Sequence, residues 1–139
     1  EGLVHGMAPG SVLVDCSTIS PTVTRDIAAR LATRGVGAVD APVSGGSEGA
    51  QRGTLTAFVG GAAEHVASAR PALETFCGTI THLGTAGAGQ AAKAVNQVLV
   101  AGTYAALGEA LVLGEREGLP MQELVTEYCW GAVWGRPGL

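Results

Sequence analysis

GTAGAGQAAKAVNQVLVAGTYAALGEALVLGEREG, residues 84–118, decides how the chain is organised. After a glycine-rich entry it reads as one long helix. Ala, Leu, Val, Gln and Glu fill it, and no proline interrupts it before Pro120. At about 1.5 Å per residue, a helix of roughly thirty residues is about 45 Å long. Its middle is apolar on nearly every side, so it is expected to be buried against two bodies of protein. It should bridge a sheet-containing half before it and a helical half after it.

The polar residues of this helix cluster at its start. Lys93, Asn96 and Gln97 stand at i, i+3 and i+4 and share a face. They fall within about two turns of the N-terminus, where the helix dipole is positive. A lysine there, among apolar neighbours, should hold its proton less firmly than a free one, which suits a proton donor and acceptor. The competing reading is a lysine snorkelling to water beside two surface amides. Periodicity leaves both open.

The chain has 139 residues, of which 47% are hydrophobic and 14% charged, enough for one domain or a little more. Its net charge is −4 and it has no basic run, which argues against nucleic acid. Cys16, Cys77 and Cys129 are far apart and form no CxxC. His5, His65 and His82 do not join them at metal-ligand spacing, so no metal site is expected. Three buried or half-buried thiols in a reducing cytoplasm are the economical reading. No signal peptide is visible at the N-terminus. The apolar run 98–108, bounded by Asn96–Gln97 and Glu109, is read as too short to span a membrane.

Residues 1–8 resemble the tail of a helix, and Pro9-Gly10 a turn. SVLVD at 11–15 is a short buried-strand pattern. Ser20 should cap a helix with Pro21 at its first position, ending near Arg34 before Gly35. Residues 36–40 form the next strand, giving β-α-β and parallel strands. APVSGGSEGAQRGT at 41–54 carries four glycines, which is many for a loop of that length. Ser44, Gly45 and Gly46 could offer a hydroxyl and successive amides to a carboxylate or phosphate. A flexible surface turn is the alternative. Strands are expected at 55–59 and 79–83, with a helix between them jogged near Pro71. A last, shorter helix should cover 121–130, with Trp130 and Trp134 as core or interface anchors.

Residues 87–92, GAGQAA, match the dinucleotide fingerprint G-x-G-x-x-A between a strand and a helix. The fingerprint needs a second parallel strand soon after the helix and an acid about 20 residues on. Here the helix continues and Glu109 lies inside it. The glycines are expected instead to let the helix end approach a ligand.

Three segments together carry a resemblance. They are VDCSTISP at 14–21, DAPVSGG at 40–46 continuing through Gly49-Ala50 and Gly53-Thr54-Leu55, and Gly84 to Gly87 with Gly89 to Lys93 and Asn96-Gln97. In order and spacing the chain resembles the β-hydroxyacid dehydrogenases, the family of 3-hydroxyisobutyrate dehydrogenase and tartronate semialdehyde reductase. The resemblance implies an oxidoreductase that moves a hydride between NAD or NADP and a small 3-hydroxy acid. It implies that Lys93 is the general acid/base and that Ser44, Gly45 and Gly46 hold the substrate carboxylate. It places Asn96 at a substrate-binding position, with Gln97 where some members have a second asparagine, and Thr18 near the nicotinamide.

The implied fold is α/β: the C-terminal part of a Rossmann-like sheet domain (1–84, its N-terminal half missing), then a long interdomain helix and the start of an all-α domain (85–139, truncated). The family's opening G-x-G-x-x-G and its later helices are not found, so the chain is expected to be a fragment that alone binds cofactor poorly and turns over nothing. In the full-length protein a cytoplasmic homo-oligomer is expected, because the apolar helix favours subunit or domain contact. Imine reductases share the architecture but usually replace this lysine. The 6-phosphogluconate dehydrogenases fit the 17–21 segment less well. A non-catalytic binding or dimerisation module retaining the fold is the reading from a different class.

Overall fold

A computed structural model describes residues 2–129 of the chain. A single 3-10 turn, Leu3–Gly6, comes first. It replaces the expected helix tail, because glycines at 2 and 6 and Pro9 leave too few good residues to nucleate an α-helix. Then follow β1 (Val12–Asp15), α1 (Pro21–Ala32), β2 (Gly37–Asp40), β3 (Val43–Ser44), α2 (Gly46–Arg52), β4 (Leu55–Gly61), α3 (Ala63–Leu73), β5 (Cys77–Gly84), α4 (Ala88–Arg116) and α5 (Met121–Glu123). Ser20 caps α1 as expected. Its Oγ accepts a hydrogen bond from the Thr22 N–H at 3.3 Å, with Pro21 opening the helix.

The sheet is mixed. β1 and β2 are parallel, as the β-α-β reading requires, and so are β4 and β5. β2 and β3 both pair antiparallel with β4. They keep one register: Val39 faces Gly61, Asp40 faces Gly60, Val43 faces Ala57 and Ser44 faces Thr56. Residues 37–44 are therefore one extended run, interrupted only where Pro42 lacks an N–H. Even there the Pro42 carbonyl accepts from the Phe58 N–H at 3.0 Å.

Alternation along this run sorts its side chains onto two faces. Val39, Ala41 and Val43 pack with Ala57, Val59 and the α3 residues Val66, Ala69 and Leu73 in the hydrophobic core. A Cβ on Gly37 would fall 2.6 Å from the His65 ring of α3, so the glycine lets that helix lie close. Asp40, Pro42 and Ser44 belong by alternation to the opposite face. There Leu13 of β1 and Ala38 of β2 meet Thr24 and Ile27 of α1.

Two readings of the chain are corrected. The glycine-rich stretch 41–54 is a strand end and a seven-residue helix, where a loop was expected. Gly45 (φ 131°) and Gly46 (φ 63°) make the entry and Gly53 (φ 67°) the exit, conformations that side chains resist. A Cβ at Gly49 would press on Leu55 at 3.0 Å, so α2 docks on its glycines.

The second correction concerns α4. It spans 29 residues, and by length and composition alone it could cross a membrane. Asn96 and Gln97 are uncharged and one glutamate is tolerated, so they do not end its apolar stretch. Val95, Val98, Leu99, Tyr104 and Leu113 are exposed, where burial was expected. The described residues after α4 are too few to cover it.

The chain forms two compact units, residues 1–95 and 96–139. In the second, Gly114 allows close packing: a Cβ there would stand 2.8 Å from Leu124 Cδ2. The expected helix 121–130 is one α-turn followed by the π-turn Leu124–Cys129. Trp130 and Trp134 lie outside the described residues.

Candidate active site at the head of the long helix

The first turn of α4 is held by an acid from β2. Asp40 is 2% exposed. Its Oδ1 accepts the Gly87 N–H at 2.8 Å and its Oδ2 the Gln90 N–H at 2.9 Å. A carboxylate on the free amides of a helix start satisfies donors that have no partner inside the helix and suits the dipole. Glycines make the approach possible. A Cβ on Gly60 would sit 2.6 Å from Asp40 Oδ1, and one on Gly89 would sit 2.3 Å from the Phe58 carbonyl oxygen.

This resolves the fingerprint-like GAGQAA. The amides that would receive a pyrophosphate are bonded to the chain's own carboxylate. The glycines bring the helix end to Asp40 and Phe58, where a ligand was expected.

Gln90 is 1% exposed. Its Nε2 donates to the Ser17 carbonyl at 2.7 Å, and its Oε1 accepts the Ile19 N–H at 3.1 Å. The segment after β1 is thereby pinned on both sides of Thr18, which is itself exposed. Asp15 Oδ1 also accepts the Ser17 N–H at 2.9 Å and the Ser17 hydroxyl. Neither Asp40 nor Gln90 was singled out from the sequence. The only available signal was that both stand inside the motifs that carry the resemblance.

Lys93 follows Gln90 by three residues and is buried, 9% exposed. Among the described residues the ion pairs are Arg52 with Glu48 and Arg70 with Glu74, so Lys93 has no carboxylate partner. A buried cation without one is costly. Ser44 is half-buried at the end of β3, and Gly45 and Gly46 are exposed at the head of α2. A Cβ on Gly46 would meet nothing within 4 Å, so open space lies beside that backbone.

Asn96 and Gln97 belong to the second unit. Gln97 is exposed. Asn96 is half-buried, and its Oδ1 is a buried atom with no hydrogen-bond partner among the described residues. An apolar hollow of about 210 Å³ lined by Leu3, Val4, Met7, Leu13, Ile27 and Leu31 includes none of these residues. Among the described residues no cluster of three His, Cys, Asp or Glu could hold a metal.

Cys77 is buried as expected, whereas Cys16 is exposed just after β1. Desolvation, then the nearby Cys77 and Asp15, push the Cys16 thiol above its ordinary value. Burial does the same to Cys77. Only the thiolate alkylates rapidly. The rate at Cys16 should therefore still be climbing above about pH 8.5, where a free cysteine is half ionised. A plateau below that pH, followed by mass spectrometry with iodoacetamide, would contradict the shift.

The carboxyl ends of β1 and β2 are where an open α/β sheet takes its ligands. Thr18 is exposed there on a loop whose flanking backbone groups are already bonded.

Residues 1–84 match the NAD binding domain of 6-phosphogluconate dehydrogenase. Residues 87–127 match the NAD-binding region of NADP-dependent 3-hydroxyisobutyrate dehydrogenase, which takes in most of α4. A 3-hydroxyisobutyrate dehydrogenase of Pseudomonas aeruginosa is 47% identical over 136 residues, covering 96% of this chain and 46% of that protein. An NAD-dependent L-serine dehydrogenase of the same organism is 46% identical over 124 residues, covering 89% of this chain and 42% of that one. The structure of Mycobacterium tuberculosis 3-hydroxyisobutyrate dehydrogenase with L-serine superimposes with a TM-score of 0.83 at 40% identity, over 96% of this chain and 45% of that one. The chain thus spans just under half the length of the curated relatives it matches. By these matches and by its Rossmann-like sheet running into the long helix, the chain belongs to the NAD(P)-dependent β-hydroxyacid dehydrogenase family.

Proposed function

We propose that the whole protein interconverts a small 3-hydroxy acid and its aldehyde, of the 3-hydroxyisobutyrate, glycerate or serine kind, with Lys93 as general acid/base. The observation that carries this is Lys93 itself: buried, without a carboxylate partner among the described residues, on the second turn of a helix whose first turn is locked by Asp40. A mostly buried lysine beside a fixed helix start suits a group that meets developing charge. Bound NAD(P) supplies the ring that accepts or returns the hydride.

In the oxidation direction the Lys93 amine takes the hydroxyl proton as hydride leaves the same carbon. In reduction the ammonium polarises the carbonyl oxygen and returns the proton. Ser44 and the Gly45 and Gly46 backbone hold the substrate carboxylate. Thr18 stands by the nicotinamide, and Asn96, with Gln97 next to it, contacts substrate. Strand alternation supports Ser44 in this role, since it assigns Ser44 to the sheet face of Asp40, which holds the head of α4. The unpartnered Asn96 Oδ1 supports a ligand contact there. We read residues 1–84 as part of the cofactor-binding domain and 85–139 as the opening of a helical domain. The whole protein is read as a cytoplasmic homo-oligomer.

The test is the full-length protein assayed by formation of reduced nicotinamide, with 3-hydroxyisobutyrate, D- and L-glycerate and L- and D-serine, each with NAD and NADP. Turnover of at least one 3-hydroxy acid, and none of 2-hydroxy acids of equal size, is expected. Reduction of cyclic imines in place of carbonyl substrates would overturn the reading.

A further inference from the structure

We infer that Gln90 is a positioning residue that fixes the Thr18 loop against the helix carrying Lys93, and so sets the geometry between hydride donor or acceptor and proton donor. The inference rests on the roles proposed above for Thr18 and Lys93, and Gln90 itself reaches neither substrate nor cofactor.

Its side chain is buried, and both of its polar atoms are hydrogen-bonded. The amide N–H donates to the Ser17 carbonyl at 2.7 Å and the amide oxygen takes the Ile19 N–H at 3.1 Å. The two bonds flank Thr18, so the peptide units on either side of it are tied to one helical residue. The backbone of that residue is tied in turn: its N–H goes to Asp40 Oδ2 at 2.9 Å. Three residues further along the same helix stands Lys93. Strand β2, the loop after β1 and the first turns of α4 thus meet in one set of hydrogen bonds with Gln90 at its centre.

The chemistry of the side chain matters as well as its size. A loop carbonyl and a loop N–H two residues apart need one donor and one acceptor at fixed separation, which an amide supplies. A carboxylate at 90 keeps the bond from Ile19 and sets an oxygen against the Ser17 carbonyl. A leucine fills the space and leaves both backbone groups unpaired. Neither change touches Lys93 or Thr18. A displacement of about 1 Å between reacting groups is enough to slow an enzyme about a hundredfold.

The experiment uses the full-length enzyme with Gln90→Leu, Gln90→Glu and Lys93→Met. The measurements are melting temperature, cofactor dissociation constant, kcat, KM and the isotope effect with substrate deuterated at the carbinol carbon. Gln90→Leu should lose roughly ten- to hundredfold in kcat with KM for the hydroxy acid within about threefold. Its isotope effect should rise, because hydride transfer is slowed in every folded molecule. Gln90→Glu should fall between it and the parent.

If Gln90 only supports folding, the folded fraction keeps the parent's isotope effect and the fall in kcat follows the fall in folded protein. That outcome overturns the inference. Should Gln90→Leu fail to fold, Gln90→Glu alone decides by the same isotope effect. If Lys93→Met retains turnover, the reading of the site fails and this inference with it. If Lys93→Met is inactive while both Gln90 variants match the parent, only the inference falls.

Discussion

Lys93→Met in the full-length protein should fold at least as well as the parent, bind cofactor as tightly, and lose about a hundred- to ten-thousandfold in kcat. The two halves of this expectation have one source. Lys93 is buried and has no acidic partner among the described residues, so its charge is a burden on the fold. Methionine keeps most of its length and removes the charge. Replacing a buried charge with an apolar group of similar volume is typically neutral or stabilising. What disappears, on the proposed mechanism, is the group that moves the proton. Thermal melting, cofactor titration and steady-state kinetics on one preparation check all three. A variant that melts well below the parent would show that the amine holds the structure, and retained turnover would remove Lys93 from the mechanism.

Gly89→Ala should be the most damaging small substitution in the first unit. The added Cβ would fall 2.3 Å from the Phe58 carbonyl oxygen, 2.8 Å from the Asp40 carbonyl oxygen and 2.9 Å from Asp40 Oδ2. Two of these atoms are backbone of the sheet and cannot swing aside. The helix must therefore retreat, and the bonds from Gly87 and Gln90 to Asp40 stretch or break. Overpacking costs about 1–3 kcal/mol and each hydrogen bond to a charged group about 1.5–3 kcal/mol. Alanine's helix propensity returns only about 1 kcal/mol. A net loss of about 4 kcal/mol is expected in urea unfolding of the full-length protein.

Gly102→Ala is the matched control on the same helix. A Cβ there meets nothing within 4 Å among the described residues, so propensity is the expected effect and the protein should gain about 0.5–1 kcal/mol. Equal effects at 89 and 102 would mean that α4 does not press on the sheet at Gly89.

What could be read from the sequence was local. Ser20 and Pro21 announce a helix start within three residues, and SVLVD announces a strand by composition alone. The long helix and the parallel pairing of β1 with β2 followed from patterns of that kind. α2 was missed because GSEGAQR has poor intrinsic helix propensity. It is helical through docking on Leu55 and through its glycine entry and exit. Asp40 and Gln90 were missed for a different reason. Their partners lie 47 and 50 residues away in one case and 71 and 73 in the other. Nothing in a run of ten residues reveals that an aspartate at a strand end will hold a helix that begins so much later. Lys93 was found because the resemblance named it; periodicity left it between a catalytic amine and a snorkelling one.

The unbroken register of residues 39–44 along β4 works as a gauge. Asp40 and Ser44 stand four residues apart on one rod, about 13 Å at strand spacing, and their separation is even. Adding or removing a single residue between them would turn Ser44 to the α3 side while Asp40 kept its grip on the helix. Variation that retunes such an enzyme for a new acid is therefore confined to exchanging side chains in this segment, because its length is already spoken for.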